Sequence, residues 1–485
     1  MNKKMNPAVV LGLFIAALGV ATPNPVLTLA DGLVFAFLWW AALGDPVKTV
    51  MACMLSAQWA QASAKLWLGD VLGISLQEPY SQAITASNRF EVTDHTAQAT
   101  ALALAAIAAL SLGARVLAPK VRLTSEDFLR FDPLRLAFFY FPLLLISLAA
   151  GPYFGGSLAQ LVGAFGALRF APLVLLIGVW HYGGRGAGLV LALVFMTEVA
   201  VGVLGFFSGW KSIFILVGVA LVSLAGSSLR RSLVPLAAIF SCLILFGTVW
   251  TIIKPSYRQA LNAGTGQQVV LLSPEQQGAA LSHEVTRVGV GDLSEGFVDL
   301  LMRISYVDYT ADVLDNVPSH EQYQEGRLWG EAIGQVLAPR FLFPNKPSLP
   351  SDSERTMQYT GRYMASGEQG TSISIGYVGE SYIDFGVIGA LAVSFLLGLV
   401  YSAGARLLVS FGRAGGRDSA IAFALVISFL WPVQEFEMSN VKLVGAIGWA
   451  WIASALAIAF AWPHIEPLLL RNRSSVGYPA RAVSK

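Results

Sequence analysis

Apolar residues fall in long unbroken blocks along most of the chain, with polar residues confined to short gaps between them. The blocks occupy 7–22, 26–43, 47–68, 97–118, 134–152, 157–180, 187–208, 211–228, 232–253, 380–409, 418–431 and 441–462. A helix needs about 20 mostly apolar residues to cross a bilayer, and most of these blocks approach or reach that length. Strands of a membrane barrel would instead alternate apolar and polar positions over about ten residues, so a barrel is excluded. The pattern predicts an all-α, polytopic membrane protein with about twelve transmembrane helices.

One stretch breaks the pattern. Residues 254–373 hold nine Lys/Arg and fourteen Asp/Glu, or 23 of the chain's 62 charges. A loop of that length inside a compact protein usually has a task. Within it, 275–288 and 293–316 carry apolar residues at helical spacing, as in Leu300, Leu301, Ile304, Val307, Val313 and Leu314. Residues 338–355 contain Pro339, Pro344, Pro347 and Pro350 and read as extended loop. The chain therefore divides into an N-terminal bundle over 1–253, this loop over 254–373, further membrane helices over 374–470 and a tail over 471–485.

Charge placement gives an orientation. Lys120, Arg122, Arg130 and Arg135 follow the fourth block, Arg185 the sixth, Arg230 and Arg231 the eighth, Arg406, Arg413 and Arg417 the tenth, and Arg471 and Arg473 the twelfth. The alternate connections are acidic or neutral. Basic loops stay in the cytoplasm, so both termini are expected inside and the long loop outside the cytoplasmic membrane. Residues 1–21 also read as a signal peptide ending in Gly-Val-Ala, and parity does not separate that from an uncleaved first span, which is the reading favoured here.

Composition then narrows the function. Hydrophobic residues make up 55% and charged residues 13% of 485 positions, with mean hydropathy +0.62, which excludes a soluble enzyme or a disordered chain. A net charge of +2 without a basic block gives no reason to expect nucleic acid as a partner. Cys53 and Cys242 lie in apolar blocks and form neither a disulfide framework nor a metal site.

Ionisable residues at membrane depth are costly and point to function. Lys65, Arg169, Lys211, Lys442, Lys254 and Arg258 lie at or near the outer ends of spans, against the positive-inside rule. Such a set suits an anion at outer-headgroup depth, a lipid pyrophosphate being the candidate. The plainer reading is local pairing, for example Lys442 with Glu437. Glu198 reads as the only acidic residue well inside a span, where it would pair with Arg169 or Lys211 or relay a proton as in a transporter, the structural ion pair being the reading favoured.

The loop's end carries the most specific pattern. Leu337-Ala338-Pro339-Arg340-Phe341-Leu342-Phe343-Pro344-Asn345-Lys346-Pro347 holds two cations on a stiff segment, and Gly376-Tyr377-Val378-Gly379-Glu380-Ser381-Tyr382-Ile383-Asp384-Phe385-Gly386 leads into the tenth block. Glu380 and Asp384 would share one helix face. With Arg303 in Leu301-Met302-Arg303-Ile304 and Lys211 in Ser208-Gly209-Trp210-Lys211-Ser212, these segments resemble the O-antigen polymerase (Wzy-type) family, which polymerises oligosaccharide repeat units.

The resemblance implies glycosyl transfer at the outer face of the cytoplasmic membrane, from a glycan on a polyprenyl pyrophosphate to a lipid-linked repeat unit. Its partners would be that lipid-linked oligosaccharide and the bilayer, with a flippase and a chain-length regulator alongside. No cofactor or metal is expected, because arginines would neutralise the leaving pyrophosphate. The cationic clamp is expected from Lys211, Arg258, Arg287, Arg303, Arg340, Lys346 and Arg355, with Arg362 in reserve. His283, Glu284 and Glu380 compete as the base, His283 and Glu380 being preferred. An outer-face glycan ligase and a lipid-linked glycan transporter are the alternatives.

Overall fold

The computed structural model describes residues 6–79, 82–83, 90–153, 156–203, 209–226, 233–265, 270–338, 343, 345–346, 348–364, 372–414 and 419–471. It is helical apart from a two-residue antiparallel pair, β1 (Gln82–Ala83) with β2 (Phe90–Glu91). Several helices begin where proline supplies the first φ angle and gives up an N–H that would lack a partner anyway. Among them are α1 (Pro7–Leu18), α2 (Pro25–Trp39) and α3 (Pro46–Leu72), with Asn6 capping α1 and Asp45 capping α3.

The chain continues through α4 (Thr96–Val116), α5 (Ser125–Leu129), α6 (Pro133–Tyr153), α7 (Gly156–Ala167), α8 (Phe170–His181), α9 (Ala187–Val203), α10 (Lys211–Leu224) and α11 (Leu233–Leu261). The polar region folds as α12 (Pro274–Thr286), α13 (Asp292–Ile304), α14 (Val307–Asn316), α15 (Arg327–Leu337) and α16 (Asp352–Thr360). Then come α17 (Tyr377–Ala414), α18 (Ser419–Leu430), α19 (Asn440–Leu456) and α20 (Trp462–Leu469).

Among the described residues, five helical segments are long and apolar enough to cross a membrane: Thr96–Val116, Val162–His181, Val234–Leu261, Tyr377–Gly412 and Asn440–Leu469. Six further apolar helices are shorter, and α3 is long but less apolar. The protein is thus a helical protein with membrane-crossing capacity.

The tightest helix pair is α4 with α17. Gly113 and Gly398 face each other's partner backbone, and a methyl on either would run into the Phe395 or Leu110 carbonyl. Close backbone approach of this kind drives association where no hydrophobic gain exists between helices. A further glycine, Gly386 (φ 68°), breaks α17 and separates its first turns, Tyr377–Phe385, from the long apolar stretch.

At one end of the bundle, polar contacts bind distant segments. The Tyr377 hydroxyl donates to Gln58 Oε1 (2.9 Å), Gln61 Nε2 donates to the Gln434 carbonyl (2.9 Å), and the Tyr306 N–H donates to the Gln61 carbonyl (3.1 Å). Buried Lys65 pairs with Asp308 there. The opposite end carries Arg130 on Glu466 (2.8 Å) and Arg115 on the Phe37 and Leu38 carbonyls.

Three expectations change. Residues 352–355 are helical, because Ser351 and Glu354 form a reciprocal capping box that starts α16. The helix of the ninth block runs on through Pro255 to Leu261 instead of closing near 253. Asp31, inside the 26–43 block, is also a buried acid, so Glu198 is not the only one well inside a span; it is held by Ser63 and by the Trp67 indole N–H (3.0 Å). Arg169 pairs with Glu198 (2.8 Å), the structural pair expected of it.

Gly113→Ala and Gly398→Ala should each destabilise the protein by about 1–3 kcal/mol through backbone overlap. Gly278→Ala, a helical position with open space around it, should be neutral or stabilising. Thermal unfolding of the detergent-purified variants reads the difference.

Candidate functional site

Cationic side chains from three helices converge beside the turn joining α18 to α19. Lys211 is the first residue of α10, Lys254 and Arg258 lie one turn apart on α11, and Arg303 lies in the last turn of α13. α13 is laid back on α11, with Leu300 over Gly247 and Gly296 against Ile252 and Thr248. That packing brings Arg303 into the group. Lys254 feels the positive charges of Arg303, Arg258 and Lys211, and Arg258 feels that of Arg303. Lys211, Lys254 and Arg303 make no ion pair among the described residues.

Two carboxylates accompany them. Glu437 is exposed and acts electrostatically on Lys254, Arg303, Tyr306 and Tyr309. Its carbonyl accepts from the Ser374 hydroxyl, and the Ser374 carbonyl accepts from Tyr306, which pins the turn. Burial, helped by neighbouring Glu437, pushes the Glu435 carboxyl above its ordinary range, while Lys211 and Lys442 oppose the shift. Four cations thus face two acids. Lys211 is also a cation at a helix N-terminus, where the helix dipole disfavours it and favours an anion.

Other charged residues of the polar region serve as scaffold. Glu380 is buried, accepts from the Asn440 N–H that begins α19 (3.1 Å) and faces Arg355 (3.5 Å). Arg355 pairs in turn with Glu331 (2.9 Å). Asp384 receives the Leu328 and Trp329 N–H groups (3.0 and 2.9 Å) and so caps α15. Lys346 donates to the Gln335 and Ala338 carbonyls (2.7 and 2.5 Å) at the other end of the same helix. Lys442 pairs with Asp352 (2.6 Å), not with Glu437, and Arg362 pairs with Asp312 (2.8 Å).

His283 sits elsewhere again. It is exposed, with Nδ1 3.2 Å from Glu284, and Glu284 accepts from Ser256 (2.6 Å). The Ser256 hydroxyl holds the Glu284 carboxyl below the usual range. Residues two positions apart on a helix point about 200° apart, so Ser256 lies across α11 from Lys254 and Arg258. His283 and Glu284 are anchored on that far side. Arg287, one turn on, is exposed and acts on Glu284.

Of the residues expected from sequence, the fold gathers Lys211, Arg258 and Arg303. Glu380, Lys346 and Arg355 are engaged in holding helices, His283 and Arg287 lie around α12, and Arg340 falls outside the described residues. Lys254 reads from sequence as one of the outer-end cations but not as part of the clamp, and Glu437 only as a partner for Lys442. The four-residue spacing of Lys254 and Arg258 was the available signal for the first; Glu437 reaches the cluster only through the fold. Among the described residues, no group of three or more His, Cys, Asp or Glu could hold a metal ion.

The two charge classes should respond differently to truncation. Arg355→Ala, which strands buried Glu380, should cost about 3–5 kcal/mol and lower the unfolding temperature. Arg303→Ala, which relieves repulsion within the cluster, should leave that temperature unchanged or raise it. Asp312 gives a pH signature: burial raises its carboxyl to about 6 against Arg362, which lowers it. Its native state therefore binds the proton more tightly than the unfolded chain, and its contribution to stability falls as pH rises between about 4 and 6. Asp312→Asn should flatten that part of the stability–pH curve, read by thermal unfolding across pH.

A family described as a domain of unknown function (DUF8712) matches residues 50–462, and the chain belongs to it. No curated protein and no solved structure matches the chain.

Proposed function

We propose that this member of the family is a membrane glycosyltransferase that polymerises polyprenyl-pyrophosphate-linked repeat units into a surface polysaccharide. On this reading about twelve helices span the bacterial cytoplasmic membrane, both termini are cytoplasmic, and the region 254–373 works at the outer face. The observation that carries it is the gathering of Lys211, Lys254, Arg258 and Arg303 around a turn where, among the described residues, Glu435 and Glu437 are the acids that act on them. The resemblance of the Arg303, Lys211 and Gly376–Gly386 segments to repeat-unit polymerases supports the choice of ligand.

The chemistry follows from the charge. The bond between the donor's anomeric carbon and its pyrophosphate oxygen breaks, and an acceptor hydroxyl oxygen bonds that carbon. Negative charge grows on the departing diphosphate, where arginine offers a two-pronged hydrogen bond and lysine a point charge. The hydroxyl proton needs a base, and Glu437 is the exposed carboxylate within the same field. Glu380 is buried and occupied with a helix start, and His283 lies across α11. Donor glycan and lipid-linked acceptor are the substrates; a flippase and a chain-length regulator are the expected partners.

Purified protein in liposomes, given one lipid-linked repeat unit, should build a ladder of lipid-linked products. Arg303→Ala and Lys254→Ala should each lower the rate by about 10²–10³-fold, and Arg303→Lys should also be damaging. Glu321→Ala, in an exposed turn, should do little. Full activity of both alanine variants would defeat the clamp. Transfer of a finished glycan without any ladder would identify a ligase, and lipid movement without chain growth a transporter.

A further inference from the structure

α15 lies in the polar region and in none of the apolar blocks, yet most of the face it leaves uncovered is not polar. Leu328 and Ala332 are buried against the fold, and Gly330, Ile333, Gly334 and Leu337 are exposed. Spaced three and four apart, these four make one stripe along the helix. No charged side chain interrupts it beyond Arg327 at its start, and both glycines face open space. A helix in water turns its polar side outward. Here Leu337 is 76% and Ile333 45% exposed. The charged residues of α15 sit in its first half, Arg327 on the Tyr359 hydroxyl (2.7 Å) and Glu331 on Arg355 (2.9 Å).

The neighbours of α15 indicate what covers the stripe. Its start is fixed at the head of α17, where Asp384 caps it, the Trp329 indole N–H donates to Ser381 (3.0 Å) and Gly326 lies against Phe385. Near its end Val336 meets Gly448 of α19, where an added methyl would be 3.9 Å away. Gly448 is eight residues, about 12 Å, beyond Asn440, whose N–H donates to Glu380 in the first turn of α17. α15 therefore runs along α19 past Lys442, the last charged residue there before the uncharged length 443–463. On α17 the charges stop at Asp384, and 387–405 is likewise uncharged. Both helices belong to segments long and apolar enough to cross a membrane. Their own exposed side chains at these depths are apolar, among them Val387, Ile388 and Ile452.

We propose that α15 is embedded in the interface of the lipid bilayer, with Gly330, Ile333, Gly334 and Leu337 turned to the acyl chains. An amphipathic helix lies in that zone with its apolar side sunk by about 5–10 Å. Water against the same stripe would leave its apolar area unburied. The end of a helix in lipid also needs donors for its last carbonyls, because hydrocarbon offers none. Lys346 supplies them to Gln335 and Ala338, as a cation at a helix C-terminus. The inference rests on membrane crossing by α17 and α19 and is independent of the glycosyl-transfer reading.

The test is spin labelling of the full chain in phosphatidylcholine liposomes. Ile333→Cys and Leu337→Cys are each labelled in a Cys53→Ala, Cys242→Ala background, with Glu275→Cys at the exposed start of α12 as the aqueous reference. Collisions with oxygen, which concentrates among acyl chains, should exceed those with a water-soluble nickel chelate several-fold at 333 and 337. The order should reverse at 275. Should the Ile333 variant not fold, Leu337→Cys decides the matter. Chelate collisions at 333 and 337 as frequent as at 275 would place the stripe in water and overturn the proposal. Shielding from both probes would overturn it too, because a second copy packed on Gly330 and Gly334, or another protein, would then cover the stripe.

Discussion

Repulsion among Lys211, Lys254, Arg258 and Arg303 is the interaction on which the functional account rests. Two unit charges 4 Å apart interact by about 1 kcal/mol in water and about 4 kcal/mol at the effective dielectric of a protein surface. Holding four like charges near one another therefore works against the fold unless something opposes it. Glu435 and Glu437 oppose it in part. The remaining positive field, next to the N-terminus of α10, is a standing attraction for a multiply charged anion. A lipid diphosphate brings that charge to the membrane surface and leaves it there as the glycosidic bond breaks.

The rest of the polar region makes this arrangement affordable by keeping other ions out of it. Lys65 is taken up by Asp308, Arg355 by Glu331 and Glu380, Lys442 by Asp352, and Lys346 by the carbonyls closing α15. Where the cation is buried, as at Lys65 and Arg355, the pair is costly to break singly and fixes the relation between helices. Asp384 and Glu380 act in the same sense, each carboxylate meeting the N–H groups of a helix start. The acidic pair at the head of α17 is thus an anchor for α15 and α19.

Local pattern made much of this legible. Apolar blocks locate the helices, and the pairing of Arg169 with Glu198 follows from their isolation at membrane depth, whereas the prolines of 338–355 hid the Ser351 cap that starts α16. Long-range pairing was not legible. Lys442 had a nearby acid in Glu437, but the fold delivers Asp352 from ninety positions upstream. His283 has the right chemistry for a base, yet Ser256 ties its neighbour Glu284 to the far side of α11. The segment around Arg340 resembles a phosphate clamp in sequence, and its Lys346 closes a helix. Residue type and spacing suggest what chemistry a side chain could do; the chain path decides which neighbour it meets.

The most direct measurement is photo-crosslinking of the full protein in lipid nanodiscs with a polyprenyl diphosphate carrying its reactive group beside the phosphates. The account expects labelled peptides to contain Lys211, the Lys254–Arg258 turn and Arg303, with unlabelled polyprenyl diphosphate competing far better than polyprenyl alcohol. Labelling confined to other parts of the chain, or equal competition by the uncharged alcohol, would contradict it.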